Sequence, residues 1–191
     1  IMETGPDPVD MMVGFSHYDA AFAAISHLLA QGRRRIGFLG ARMDPRVQRR
    51  LEGYTDAMKR AALYDPRLII TTPVPTSVTM GGTLFADLLM KAPDLDAVFC
   101  VNDDLALGTL FECQRRRIQV PEDIAIVGFN DLEYVASAVP PLSSVRTNRY
   151  DMGRIAITML MDAIEGRPPA APVIDLGFKL MIRRSSAARR V

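Results

Sequence analysis

Residues 97–133, AVFCVNDDLALGTLFECQRRRIQVPEDIAIVGFNDLE, decide how the chain is read. Two short apolar runs in this stretch each end in Asn and Asp. Residues 97–101 are apolar without alternation and too short for a helix, which predicts a parallel strand covered on both faces. Asn102, Asp103 and Asp104 stop the run and carry helix N-cap chemistry. Leu107, Leu110 and Phe111, with Ala106 and Cys113 beside them, recur at helical spacing up to Arg115, Arg116 and Arg117, whose charge suits a helix C-terminus. Pro121 breaks the helix, and residues 124–127 form the next buried strand, ending in Gly128-Phe129-Asn130-Asp131. Ligands bind beyond the carboxyl ends of the strands in open parallel sheets, so both polar clusters predict a small-molecule site.

The alternation continues on either side. Residues 1–9 are Pro-rich and irregular, residues 11–15 read as a buried strand ending at Ser16-His17-Tyr18-Asp19, and residues 20–30 as a helix closed by Gly32. Residues 36–39 are a strand, followed by Gly40-Ala41-Arg42-Met43-Asp44-Pro45-Arg46 and a helix to about residue 62. A strand at 68–72 and a helix at 78–90 lead back to the opening stretch. Beyond it come an extended segment at 142–145, a helix at 150–164 with an apolar face, a Pro-rich connector at 166–172, strands at 173–176 and 179–182, and a basic tail. This order predicts an α/β fold with doubly wound parallel sheets.

The 191 residues carry a formal net charge of +1, which gives no general electrostatic reason for nucleic acid or an anionic membrane as a partner of this segment. Cys100 and Cys113 fall on a buried strand and a helix and read as free core thiols of a reducing cytosol. No long uncharged apolar run occurs, and residues 1–15 lack a signal-peptide pattern, so a cytoplasmic protein without a membrane partner is expected.

The strand ends collect Ser16, His17, Asp19, Asp44, Arg46, Arg50, Asn102, Asp103, Asn130 and Asp131. Hydroxyls need both donors and acceptors, and this mixture suits a polyhydroxylated ligand. The same Asp and Asn also suit helix caps. Arg46 and Arg50 lie four apart on one helix face, where the Arg50 fork can grip a carboxylate, although Arg46 and Arg49 equally suit a solvated basic face. Enzyme signatures are missing. The segment at 36–41 does not complete G-x-G-x-x-G, and there is no Walker A sequence. His17 and His27 have no companion zinc ligands, and His27 reads as a helix surface residue. Gly81 and Gly82 read as close-packing or cap positions. No catalytic residue, metal or cofactor is expected.

The segments VGFSHYDAA (13–21), GRRRIGFLGA (32–41), RLEGY (50–54), AVFCVNDDLALG (97–108), VPEDIAIVGFND (120–131) and PPLSSVR (140–146) together resemble the effector-binding core of the lactose-repressor (LacI/GalR) family of bacterial transcription regulators. FECQR (111–115), GARMDPR (40–46) and IDLGFKL (174–180) look most like the gluconate-operon repressors of that family. The resemblance implies a periplasmic-binding-protein-like fold of type I, with two subdomains and the effector held between them. On that basis residues 1–31 and 148–167 form a partial N-terminal subdomain and 33–145 and 172–186 the C-terminal one, with crossings near Gly32, near 144–147 and near 168–172. The matching effector positions are Asp19, Arg50, Asn102, Asn130 and Thr147, joined by Arg46, Ser16 and His17 from the strand-end inventory. Asn130 departs from the family, which commonly has Asp there, and the lost charge favours a sugar acid such as gluconate over a neutral sugar.

The resemblance further implies a regulator that works as a homodimer, with dimer surfaces on helices 46–62 and 105–117. It would reach operator DNA only through an N-terminal helix-turn-helix domain. No such domain precedes Ile1, so a fragment or truncated product with an incomplete N-terminal sheet is expected. A periplasmic sugar-binding protein of a transporter, or a Rossmann-type enzyme acting on sugar acids, remains an alternative at the level of sequence.

Overall fold

The computed structural model describes residues 10–167 and 171–187; the Pro-rich start, part of the 166–172 connector and the end of the basic tail lie outside the described residues. The elements run β1 (Met12–Gly14), α1 (His17–Ala30), β2 (Ile36–Ala41), α2 (Pro45–Arg60), β3 (Ile69–Thr72), α3 (Val78–Lys91), β4 (Ala97–Cys100), α4 (Asp103–Arg116), β5 (Ala125–Asn130), α5 (Glu133–Ser137), β6 (Ser143–Thr147), α6 (Arg149–Ile164), β7 (Val173–Asp175) and β8 (Phe178–Met181). A six-stranded sheet has the order β3-β2-β4-β5-β6-β8, and a two-stranded sheet pairs β1 with β7 in parallel. Every pairing in the large sheet is parallel except β6 with β8. Every residue of β2 and β4 is buried, as continuous apolar runs require when helices cover both faces.

The order reverses at β2, whose chain moves outward to β3 before returning past it to β4. Right-handed crossovers then place α2 on one face and α3 and α4 on the other, which matches the packing of α1 on α2 and of α3 on α4. The edge between β2 and β4 is therefore the switch point of the sheet.

Two segments pack differently from the grouping expected from sequence. Helix α1 lies against α2 and touches β4 and β8, so it belongs with the large sheet, while β7 joins β1 and α6 packs on β1. The chain passes from one sheet to the other between Gly14 and His17, at 147–149 and between Asp175 and Phe178, not at Gly32. Helix α1 also starts three residues earlier than its periodicity indicated, because the Ser16 hydroxyl accepts from the Asp19 N–H and caps it. His27 is half-buried rather than a surface residue, and its Nε2 bonds the Ser186 hydroxyl at 2.9 Å. The apolar face of α6 is exposed at Ile157, Leu160, Met161 and Ile164, and only Met152 and Met159 of that helix are buried. Cys100 and Cys113 are free and buried, and burial pushes both thiols up to about 12.

Helices α3 and α4 meet backbone to backbone. A methyl group on Gly108 would strike the Val78 carbonyl and lie 2.8 Å from the Gly82 nitrogen, and one on Gly81 would lie 2.7 Å from the Leu105 Cα. Gly108→Ala is expected to cost more than about 2 kcal/mol, since main chain cannot yield as a side chain can. Gly153→Ala on α6, with nothing within 4 Å of the added methyl, should instead stabilise by about 0.5–1 kcal/mol. Urea unfolding of the two variants reads the contrast.

Candidate functional site

Four helices begin at the carboxyl edge of the large sheet, each capped by a side chain. Ser16 caps α1, Asp44 accepts from the Arg46 and Val47 N–H groups of α2, Ser77 caps α3, and the Asn102 side chain accepts from the Leu105 N–H of α4. Between the starts of α2 and α4, at the switch point, lies a cleft of about 280 Å³. Ala41, Arg42, Asp44, Arg46, Val47, Arg50, Thr76, Val101, Asn102 and Asn130 line it, from the ends of β2, β4 and β5 and the loop after β3.

Arg50 is 6% exposed and reaches the cleft from the second turn of α2. Its guanidinium carbon sits 3.7 Å from the centroid of the Phe129 ring, a cation–π contact. Its Nε donates to His17 Nδ1 at 3.1 Å, and one terminal nitrogen donates to the Val101 carbonyl. Because His17 Nδ1 accepts, the ring carries its proton on Nε2. His17 is fully buried, 4.3 Å from the Phe15 ring and 5.8 Å from the Phe129 ring. It therefore steadies Arg50 from behind and does not line the cleft.

The opposite wall is built by a left-handed turn. Asn130 has φ of 106° and Asp131 of 54°, conformations that non-glycine residues hold only when their surroundings fix them. Asp131 donates its N–H to the Ser144 hydroxyl and pairs its carboxylate with Arg146 and Arg183, each at 2.7 Å. Burial raises its carboxyl, but the two guanidiniums outweigh that and leave it below the ordinary range. Asp103, fully buried, takes the Ser144 hydroxyl at 2.6 Å and the Leu132 N–H at 2.7 Å.

The structure thus gathers Arg46, Arg50, Asn102 and Asn130 in one cleft. Ser16 caps α1, and Asp19 is exposed on its first turn. Thr147 is 95% buried at the end of β6, and its hydroxyl has no partner among the described residues. Arg46 pairs with Asp44 at 2.7 Å on the rim, and Arg49 pairs with Glu52 in solvent. Arg42 and Thr76 line the cleft without having been singled out by sequence. Arg42 sits in a left-handed turn at the end of β2 and donates its N–H to the Val74 carbonyl, which draws the Thr76 loop over the cleft. Among the described residues no group of His, Cys, Asp and Glu is placed to hold a metal ion, and no helix is long and apolar enough to cross a membrane.

A polar cleft at the switch point of a doubly wound sheet, walled by amides and guanidiniums, is the arrangement of the periplasmic-binding-protein-like class. A model of the periplasmic binding protein-like domain matches residues 25–186. The HTH-type transcriptional regulator GntR of Pseudomonas aeruginosa is 49% identical over 174 residues, 91% of this chain and 51% of that protein. The crystal structure of the transcription regulator GntR from Chromobacterium violaceum superposes with a TM-score of 0.94 at 48% identity, covering 97% of this chain and 68% of that one. A complex of the transcriptional regulator CelR with cellobiose gives 0.87 at 31% identity, covering 94% of this chain and 55% of that one. The chain belongs to the periplasmic binding protein-like family, in its branch of LacI-type transcription regulators. It spans about half the length of the curated relatives it matches, which are HTH-type transcriptional regulators.

Burial raises the Asp103 carboxyl to about 6, against the lowering effect of Ser144 and Leu132. The folded protein holds this proton more tightly than the unfolded chain. The group's contribution to stability is therefore full below about pH 4 and lost as pH rises through 6. The unfolding free energy of wild type minus that of Asp103→Asn should fall by about 1 kcal/mol between pH 5 and pH 7. Urea unfolding at the two pH values measures it.

Proposed function

We propose that this chain is the sensor segment of a bacterial transcription regulator, binding a sugar acid such as gluconate in the Arg50 cleft and relaying occupancy to operator affinity. The charge of the cleft wall carries this assignment: Arg42, Arg46 and Arg50 face a single carboxylate, Asp44, which already caps α2 and pairs with Arg46. The N-termini of α2 and α4 add partial positive charge at the same place. Asn102 and Asn130 offer donors and acceptors for hydroxyls, and Asn130 adds no negative charge to repel a carboxylate. The cellobiose bound by CelR supports a sugar-like ligand. Thr147 at the end of β6 and Asp19 on the first turn of α1, with Ser16 beside it, would reach the ligand next to the links between the two sheets, and His17 would act through Arg50.

The small sheet with α6 would belong to an N-terminal subdomain, and an effector between the two sheets would favour one relative orientation. In a cytoplasmic homodimer that orientation would set the spacing of DNA-binding domains on the operator. Such coupling works only through a difference in effector affinity between the two orientations.

Calorimetry of the full-length protein against gluconate, related aldonates and neutral hexoses should give the tightest binding to an aldonate; tighter binding of a neutral hexose would refute the assignment. Arg50→Ala should weaken gluconate binding about 100-fold, the loss of a charge-assisted fork, or roughly 3 kcal/mol. Asn130→Asp should weaken gluconate about ten-fold by repulsion while leaving neutral sugars near their wild-type affinity, a reversal of preference that the same titrations detect.

A further inference from the structure

Asp103 is a carboxylate with no exposed surface, one residue beyond the α4 cap, and does not itself line the cleft. A buried carboxylate carries a large desolvation penalty, and capping does not need it, because Asn102 performs that task. Its two oxygens are committed elsewhere. Oδ2 accepts from the Leu132 N–H, and Oδ1 accepts from the Ser144 hydroxyl, which itself accepts from the Asp131 N–H. The carboxylate and the hydroxyl thus hold the two consecutive amides that follow Asn130, where the chain turns left-handed. The sheet makes room for this arrangement: a methyl group on Gly128 would lie 2.5 Å from Asp103 Oδ1.

We propose that Asp103 is the positioning residue of the cleft, a clamp that fixes Asn130 on β5 relative to Asn102 at the start of α4. The proposal rests on the ligand assignment made above. Asn102 is joined to Asp103 by one peptide bond, and Asn130 precedes the clamped amides directly. Displacement of either amide wall therefore has to break the carboxylate's hydrogen bonds. The clamp also reaches β6 through Ser144, two residues before the strand's Arg146 pairs with Asp131.

The test uses the full-length protein, with hydrogen exchange resolved over residues 128–133 and calorimetry with gluconate. Asp103→Asn keeps the size of the side chain but cannot accept from both donors. It should speed exchange over 128–133 about ten-fold and weaken gluconate binding about ten-fold. Ile25→Val, a core change on α1 that also lowers stability, should leave both at wild-type values. Unchanged exchange in Asp103→Asn overturns the clamp, and faster exchange with wild-type affinity overturns its role in binding. Should Asp103→Asn fail to fold, Ser144→Ala, which removes the hydroxyl link and keeps the carboxylate, is judged by the same two measures. A wild-type protein that binds no aldonate removes the ligand assignment, and exchange then decides the clamp alone.

Discussion

A guanidinium that is 6% exposed must be solvated by the protein instead of by water. Arg50 obtains this from the Phe129 face on β5, the His17 ring at the start of α1 and the Val101 carbonyl just past β4. None of these groups is near Arg50 in sequence. The charge is accommodated only when α2, α1 and the ends of two neighbouring strands are in register. Removing one partner leaves a buried cation short of compensation, which is far more harmful than losing an exposed pair. The cleft and the sheet edge are thus specified together.

The polar strand ends serve two purposes. Asp44 and Asn102 satisfy helix N–H groups and also stand in the cleft wall. Capping fixes the side-chain rotamers, so these groups are already ordered before any ligand arrives, and binding does not have to pay for that ordering. Gly128 and Asp103 extend this principle below the surface, where an absent side chain leaves room for a buried carboxylate.

The order of strands and helices was legible because buried parallel strands read as unbroken apolar runs, and the polar residues at 44 and 102 mark helix starts chemically. Arg46, Arg50, Asn102 and Asn130 could be found from their strand-end positions and from the resemblance. The antiparallel β8 could not, since nothing local in residues 178–181 records direction. Nor could α5, whose first turn has no side-chain cap. His27 misled because an imidazole's role depends on what packs around it, here Ser186, and the same dependence sets His17 behind Arg50, packed by Phe15 and Phe129. Arg42 and Thr76 were hidden because the bond that brings their loops together, Arg42 N–H to Val74 carbonyl, joins two main chains and leaves no trace in residue type.

The glycine contact between α3 and α4 limits where the molecule can deform. With no layer of side chains between Gly81, Gly108 and the main chain opposite, there is nothing to slide or repack, so the two helices behave as one plank fixed to its face of the sheet. Among descendants of this sequence, positions 81 and 108 should stay frozen while the solvent-facing residues around them drift. Any flexing between the two sheets is left to the three short links at 15–16, 147–149 and 176–177, so a lineage can alter its mechanical response by changing a few residues there without touching the core.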